Sequence, residues 1–422
     1  MRRPAAGPAF ARVTSSLAVR NYRLYFWGQS ISIAGTWMQT LALAFLVLRL
    51  DGSGTTLGFV AGARLLPFVL LGPYGGLIAD RHDKRHLLYF TQTAQAAVAV
   101  AFALLIATGA ITIPLVFGLS LALGCSTVFD NPARQSLIPE LVPRGQLANA
   151  VTLNSVSLNL ARVLGSAAGG ALVAAVGLAA CFALNAVSFI AVLISLALMR
   201  AGETEPSERP PREKGQVRAG LRYARRTPAL FLPLVMVAVT GTLAYEFPIT
   251  LPLLARGAFD GGAGAYGAMA ATMAAGAVAG GLVAAARQSR RAETMALTAI
   301  CWGLAILAAA AAPTFGWELV ALVFVGYGSI TFNSLVKTVL QLASSPAMRG
   351  RVMALWAIAW AGSTVVGGPL VGWIAQELGS RWSLVAGGLP TVALGLALMP
   401  AMYRIDHAAA ALNPAAHSPS RP

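Results

Sequence analysis

GGLIADRHDKR, residues 75–85, and GGLVAAARQSR, residues 280–290, decide how this chain is built. Each string ends an apolar run and closes in basic residues, and the two stand 205 positions apart. A second echo, Arg144-Gly145 with Arg349-Gly350, has the same offset of 205. Chance matching of a Gly-Leu-Ala string is the alternative in a chain this biased. Two matches at one offset, both at polar connections between apolar runs, weigh against it. The chain reads as two halves of one design.

Working outward from these strings, the rest of the sequence is mostly apolar. Of 422 residues, 57% are hydrophobic and 11% charged, against about 25% charged in an ordinary soluble domain. The mean hydropathy is +0.69. That leaves too little charge to coat two or three water-soluble domains, and it excludes disorder, collagen-like repeats and a disulfide scaffold. A helix needs about 20 apolar residues to cross a bilayer core. Twelve segments qualify: roughly 24–48, 57–79, 87–107, 113–129, 149–174, 180–199, 229–254, 266–286, 292–312, 315–339, 352–375 and 382–403. Small residues four apart recur in them, a spacing that lets membrane helices approach closely. Cys125, Cys181 and Cys301 are scattered in apolar stretches, and the four histidines lie in loops or the tail. Neither set has metal-ligand spacing, so no metal or cofactor is expected.

The division that follows is a polar segment at 1–23, a six-span bundle at 24–199, a linker at 200–228, a second bundle at 229–403 and a tail at 404–422. The first 23 residues lack a short apolar core with a small-residue cleavage site, so the first span reads as retained. The linker is rich in Pro, Glu and Arg, and its end, 216–227, reads as a short basic interfacial helix. Net charge is +16. With the N-terminus inside, Arg49, Arg256 and Arg381 fall in outside loops and Arg64 and Arg162 within spans, while every other Lys and Arg of the 31 falls on the cytoplasmic side. The positive-inside rule then places both termini in the cytoplasm. The basic excess is a topology signal with some affinity for anionic lipid, and nucleic acid is not the expected partner.

The same residues carry a resemblance. GGLIADRHDKR is similar to the signature loop between the second and third helices of the major facilitator superfamily. GSAAGG at 165–170 resembles that superfamily's antiporter motif. NYRLYFWGQSISIAGTWMQTLAL at 21–43, NPARQSLIPELV at 131–142 and RGRVMAL at 349–355 are similar to its branch of bacterial siderophore and drug exporters. The resemblance spans residues 20–403. It implies an all-α membrane protein: twelve transmembrane helices in two pseudo-symmetric six-helix bundles, in the inner membrane, with a binding site between the halves. One departure stands out. Ser166 occupies the position where the antiporter motif has Pro, which weakens strict antiport.

Gly72 and Gly76 share one stripe of the second span, and Asp80 follows on it, so a close helix contact is expected there. A carboxylate at Asp80 suits the positive N-terminus of another helix, which the resemblance makes that of the eleventh span. Arg81, Lys84 and Arg85 would then pair with Asp83, Asp130 or Glu140, forming a latch that breaks as the halves rock; a solvated turn is the plainer reading. Gly165, Gly169 and Gly170 make one side of the fifth span smooth. The resemblance sets that side against the eighth span, with its Gly276, Gly280 and Gly281, either as a sliding face or as static packing.

Charges inside a membrane are costly, roughly 2.5–3.5 kcal/mol each on insertion scales, and so mark function. Glu246 stands about 17 residues above the cytoplasmic end of the seventh span, roughly 25 Å up, with Pro248 and Pro252 beyond it to bend the helix. Desolvation favours its neutral form and a nearby cation its charged form, the behaviour a proton carrier needs; a structural hydrogen bond or ion pair is the alternative. Arg64 lies at similar depth in the second span and either pairs with Glu246 across the halves or snorkels to the outer headgroups. Arg162, beside Asn159 and above Asn154, is either a substrate-binding cation or a hydrogen-bonding hub. Gln29, Ser32, Thr36 and Thr40 share one face of the first span, either lining a substrate cavity or packing there. Trp37 and Tyr245 are placed to stack on aromatic ligands.

No Walker loop, HExxH helix or GxSxG elbow occurs, so an enzyme is not expected. The sequence reads as a monomeric secondary transporter, multi-pass in the cell membrane, exporting a bulky amphipathic small molecule (drug, siderophore or secondary metabolite) as protons enter. An importer, an uncoupled facilitator and a non-transporting receptor or assembly factor are the alternatives.

Overall fold

A computed structural model describes residues 15–200, 216–287 and 292–412. The N-terminal 1–14, most of the linker (201–215), 288–291 and the last ten residues of the tail lie outside them. Every regular element among the described residues is helical. The first half holds α1 (Arg20–Leu50), α2 (Gly54–Arg81), α3 (Lys84–Ala107), α4 (Ile113–Leu141), α5 (Leu147–Ala175) and α6 (Leu178–Ala197). The short α7 (Gln216–Arg226) falls where the basic linker helix is expected. The second half holds α8 (Pro228–Leu243), α9 (Phe247–Phe259), α10 (Ala263–Arg287), α11 (Ala292–Ala310), α12 (Phe315–Ala343), α13 (Pro346–Glu377) and α14 (Ser380–Leu412). With α8 and α9 counted as one broken span, 12 spans are long and apolar enough to cross a membrane. Leu70, Phe90, Leu104, Leu282 and Phe324 point outward and exposed; such apolar surface would drive aggregation in water and is satisfied by lipid.

Two compact units result. One gathers Met1–Gly52, Val60–Pro211 and Gly261–Ala271; the other gathers Ser53–Phe59, Arg212–Asp260 and Thr272–Pro422. Their internal packing follows one plan. In the first unit α1 packs on α5 and α6, and α3 on α4 and α6. In the second, the broken span packs on α13 and α14, and α11 on α12 and α14. The repeat strings take part in this equivalence. A side chain on Gly75 would run into the Val128 backbone of α4, and one on Gly280 into the Tyr327 backbone of α12. Each is the second span of its half meeting the fourth. The turns closing the fifth span of each half also match, on Gly177 (φ +110) and Gly379 (φ +105), a region open to glycine at no steric cost.

Packing in the first unit combines a greasy end with polar glue. Tyr22, Tyr25, Leu88, Leu137, Leu141 and Leu196 form one buried cluster, and the Tyr22 hydroxyl donates to the Ala150 carbonyl at 2.8 Å. Asn185 of α6 donates to Gln39 of α1, the kind of interhelical bond that contributes about 0.6 kcal/mol on average in a membrane.

Several boundaries shift from the sequence reading, α14 running on to Leu412 rather than 403, and two of the changes bear on the site. α4 continues to Leu141, where hydropathy ended the span at 129, although Pro132 and Pro139 lie inside it. Its charged end is buried and internally paired, as detailed below, which hydropathy cannot detect. The seventh span is two helices rather than one bent one. Pro248 has no N–H for the Ala244 carbonyl and its ring crowds that carbonyl, so α8 stops at Leu243, and the Ala244 and Tyr245 N–H groups both fold back onto the Thr240 carbonyl at 2.7 and 3.1 Å. Pro252 sits inside α9 without breaking it.

Candidate functional site

In the first unit much of the polar face of α1 is hydrogen-bonded, although Gln29 Nε2 is buried without a partner among the described residues. Thr36 donates to the Ser32 carbonyl at 2.9 Å and Thr40 to the Thr36 carbonyl at 2.8 Å. Arg64 of α2 donates to the Thr40 hydroxyl at 3.1 Å. Gln29 and Ser32 are buried, while Thr36, Trp37 and Thr40 are half-buried. Arg162 of α5 donates to Asn159 at 3.1 Å, and its guanidinium carbon lies 5.7 Å from the centre of the Trp37 ring. The structure thus joins Trp37, Asn159 and Arg162 in one group and Thr40 with Arg64 in another; Asn154 is half-buried on α5.

The strongest polar network of this unit was not expected. Asp130, buried on α4, pairs with Arg134 one turn on at 2.7 Å. It also accepts from Thr91 at 2.9 Å and Gln92 at 2.6 Å on α3. Arg134 reaches on to Asn131 at 2.7 Å and to Gln29 at 3.5 Å. Asp130 is therefore held by Arg134 rather than by Arg81 or Arg85 of the expected latch. Arg134 escaped the sequence reading because it was counted in a loop; the i,i+4 spacing of the pair was the available signal.

Around the loop after α2, Lys84 does pair with Glu140, as one expected alternative had it. Arg85 instead donates to the Ala197 carbonyl at 3.3 Å and lies 6.0 Å from the Tyr89 ring centre. Arg81 is exposed, and Asp83 caps α3 by accepting from the His86 N–H at 3.0 Å. The Asp80 side chain lies outside the described residues. The close contact expected on the Gly72 stripe is not found at Gly72 among the described residues. Gly72 has nothing nearer than Phe68 of its own helix, and Gly76 is half-buried; the close approach to α4 falls at Gly75 and where Gly124 meets the Arg64 backbone. Arg64, Pro67 and Gly75 are the positions of α2 seen to approach α4 closely.

The glycine face of α5 has two partners. Gly165 and Gly169 abut Ala34, Trp37 and Met38 of α1, while Gly170 meets Ala263 and Gly267 at the start of α10, and Gly267 also approaches the Ser166 carbonyl. Gly276 and Gly280 of α10 abut Val323 and Tyr327 of α12. Ser166 is buried in an unbroken α5.

In the second unit, Glu246 stands at the break between α8 and α9, 3% exposed. Thr364 of α13 is its side-chain hydrogen-bond partner, and its Oε1 has none among the described residues. Beside it, Tyr245 donates to the Ser329 carbonyl at 2.6 Å and touches Trp302 (4.5 Å between ring centres) and Trp360 (4.4 Å). Trp302 continues to Phe332 at 5.6 Å and Trp360 to Trp356 at 5.9 Å, and Lys337 lies over Trp356 at 4.2 Å. Sequence reasoning found only Tyr245 of this wall, because its members come from four spans with no common spacing. It also missed Glu318, fully buried near the start of α12, whose carboxylate oxygens have no hydrogen-bond partner among the described residues and on which the Arg381 charge acts. An acid in the first turn of a helix reads as an ordinary dipole partner.

Twelve apolar spans in two like units, with charges held inside each, define a multi-pass membrane transporter of the major facilitator type. The chain belongs to the transmembrane secretion effector family, whose profile matches residues 13–422. It is 31% identical over 177 residues to the staphyloferrin A transporter of Staphylococcus aureus, covering 41% of this chain and 45% of that one, so the match spans about half of that relative's length. It is 27% identical over 436 residues to the multidrug efflux pump Tap of Mycobacterium tuberculosis, covering 96% of each. A solved bacterial homologue of the human lysosomal transporter Spinster, inward-facing and unoccupied, shares the fold with a TM-score of 0.72 at 16% identity, over 95% of this chain and 99% of that one.

Proposed function

We propose that this protein exports a bulky amphipathic small molecule from the cytoplasm by alternating access, driven by proton entry, with Glu246 as the coupling carboxylate. Glu246 itself carries the reading: a buried acid at a helix break, one oxygen bonded to Thr364 and the other without a partner among the described residues. Such a group is stable when protonated and costly when ionised without a cation, so a change in its surroundings moves a proton on or off. Arg64 is the proposed cation that meets it in one state of the cycle. Arg162 with Trp37 and Asn159, the α1 face from Gln29 to Thr40, Asn154 and Tyr245 supply the substrate-facing groups. The loop from Gly72 through Asp80, Arg81 and Arg85 is the proposed latch, working beside the Asp130 network. Gly165, Gly169 and Gly170 are the proposed sliding face.

The similarity to a siderophore transporter and a multidrug pump supports export of this class of compound. The proposed protein is a monomer in the cell membrane, both termini cytoplasmic, with bundles at 24–199 and 229–403 and lipid as its surround. An uncoupled facilitator or importer is the second reading, favoured by Ser166 in an unbroken α5.

In proteoliposomes holding a pH-sensitive dye, adding substrate should move protons, and Glu246→Gln should cut that movement at least tenfold while substrate binding persists. Substrate flux with no proton movement in the unaltered protein would select the facilitator.

A further inference from the structure

Lys337 lies near the end of α12, half-buried, and its partner among the described residues is the face of Trp356 at 4.2 Å. No carboxylate stands within ion-pair distance of it among those residues. A ring face compensates a desolvated cation only in part, far less than an ionised oxygen does. Two more polar groups are left over at the same place. Trp356 Nε1 and Asn333 Oδ1 are buried without a hydrogen-bond partner among the described residues. Asn333 is one turn before Lys337 on the same face of α12. Leaving buried donors and acceptors unmade is unfavourable, so a cation, a donor and an acceptor left together are what an absent ligand would complete. The adjoining surface sets the rest of that ligand. Trp356 and Trp360 stack at 21° between planes, and Trp360 leads to Tyr245 beside Glu246. Together they form an aromatic wall leading away from the cation, near-parallel between Trp356 and Trp360 and edge-on where Trp360 meets Tyr245.

We propose that this end of the wall binds an aromatic carboxylate: the ring lies along Trp360, and the ionised acid accepts from Lys337 Nζ and from Trp356 Nε1 at the edge of its ring. A neutral or cationic amphipath would compete with Lys337 for the Trp356 face and gain no counter-charge. This deepens the export reading and rests on it, since it makes the exported compound an aromatic acid.

The test is calorimetric titration of the purified full chain in detergent at pH 7 with 2-naphthoate and with 2-naphthamide, equal in ring and differing in charge. Naphthoate is expected to bind at least tenfold tighter. Lys337→Met should erase the difference by weakening naphthoate alone, and Lys337→Arg should keep it. Equal affinities in the unaltered protein, no binding of either compound up to millimolar concentration, or a preference that survives Lys337→Met would overturn the proposal. The comparison within the unaltered protein decides by itself if a variant does not fold. No proton gradient enters the titration, so a failure of coupling and a failure of this subsite are read separately.

Discussion

Asp130 is 2% exposed on its side chain; it forms an ion pair with Arg134 and accepts hydrogen bonds from Thr91 and Gln92. A buried ion pair adds little net stability, but removing one partner strands the other, at about 3–5 kcal/mol. Arg134→Met should therefore lower the melting temperature in detergent sharply, and Asp130→Asn in the same chain should recover most of the loss, because the stranded charge is gone. Equal melting of Arg134→Met and the unaltered protein would show the pair to be idle. At this scale the sequence was legible where one residue stands out against lipid, as Glu246, Arg64 and Arg162 do. It was illegible where charges satisfy each other, as at Asp130 and Arg134, or where a charge sits near a span's end, as Glu318 and Lys337 do. The aromatic wall was hidden for a different reason: Tyr245, Trp302, Phe332 and Trp356 meet only in three dimensions.

Helices here are positioned by close backbone approach. Gly75 against Val128 and Gly280 against Tyr327 are equivalent contacts of the second and fourth spans in each unit, and a larger side chain at either must push two helices apart. Overpacking of this kind costs about 1–3 kcal/mol. Gly75→Leu and Gly280→Leu should each lower the melting temperature by several degrees, and by similar amounts, if the halves share one plan. A large loss at one with none at the other would count against the equivalence. The number of spans and the short α7 were readable from hydropathy and charge. The end of α4 was not, since a helix that keeps Pro132, Pro139 and a buried ion pair looks like a loop in any average. Pro248 announced a bend in the seventh span; only the structure shows a full break there, with Glu246 at it. Small-residue spacing showed that close contacts exist on α2 and α5; it did not choose the face or the partner, and Gly75 rather than Gly72 meets α4.

For the whole molecule, the distribution of +16 net charges predicts one topology. Reporter fusions after 210 and after the last residue should both be active in the cytoplasm, and a fusion in the loop at 260–262, between α9 and α10, should not; the reverse would overturn the orientation read from the charges. Two units of like plan also predict motion between two states. That claim is tested most directly by cysteine accessibility. With Cys125, Cys181 and Cys301 replaced by Ser, single cysteines at Thr36 and at Tyr245 are labelled in sealed vesicles of known orientation, using a membrane-impermeant maleimide. Alternating access predicts that each is reached from either side, and that substrate speeds labelling from one side while slowing it from the other. Labelling from a single side, unchanged by substrate, would contradict it.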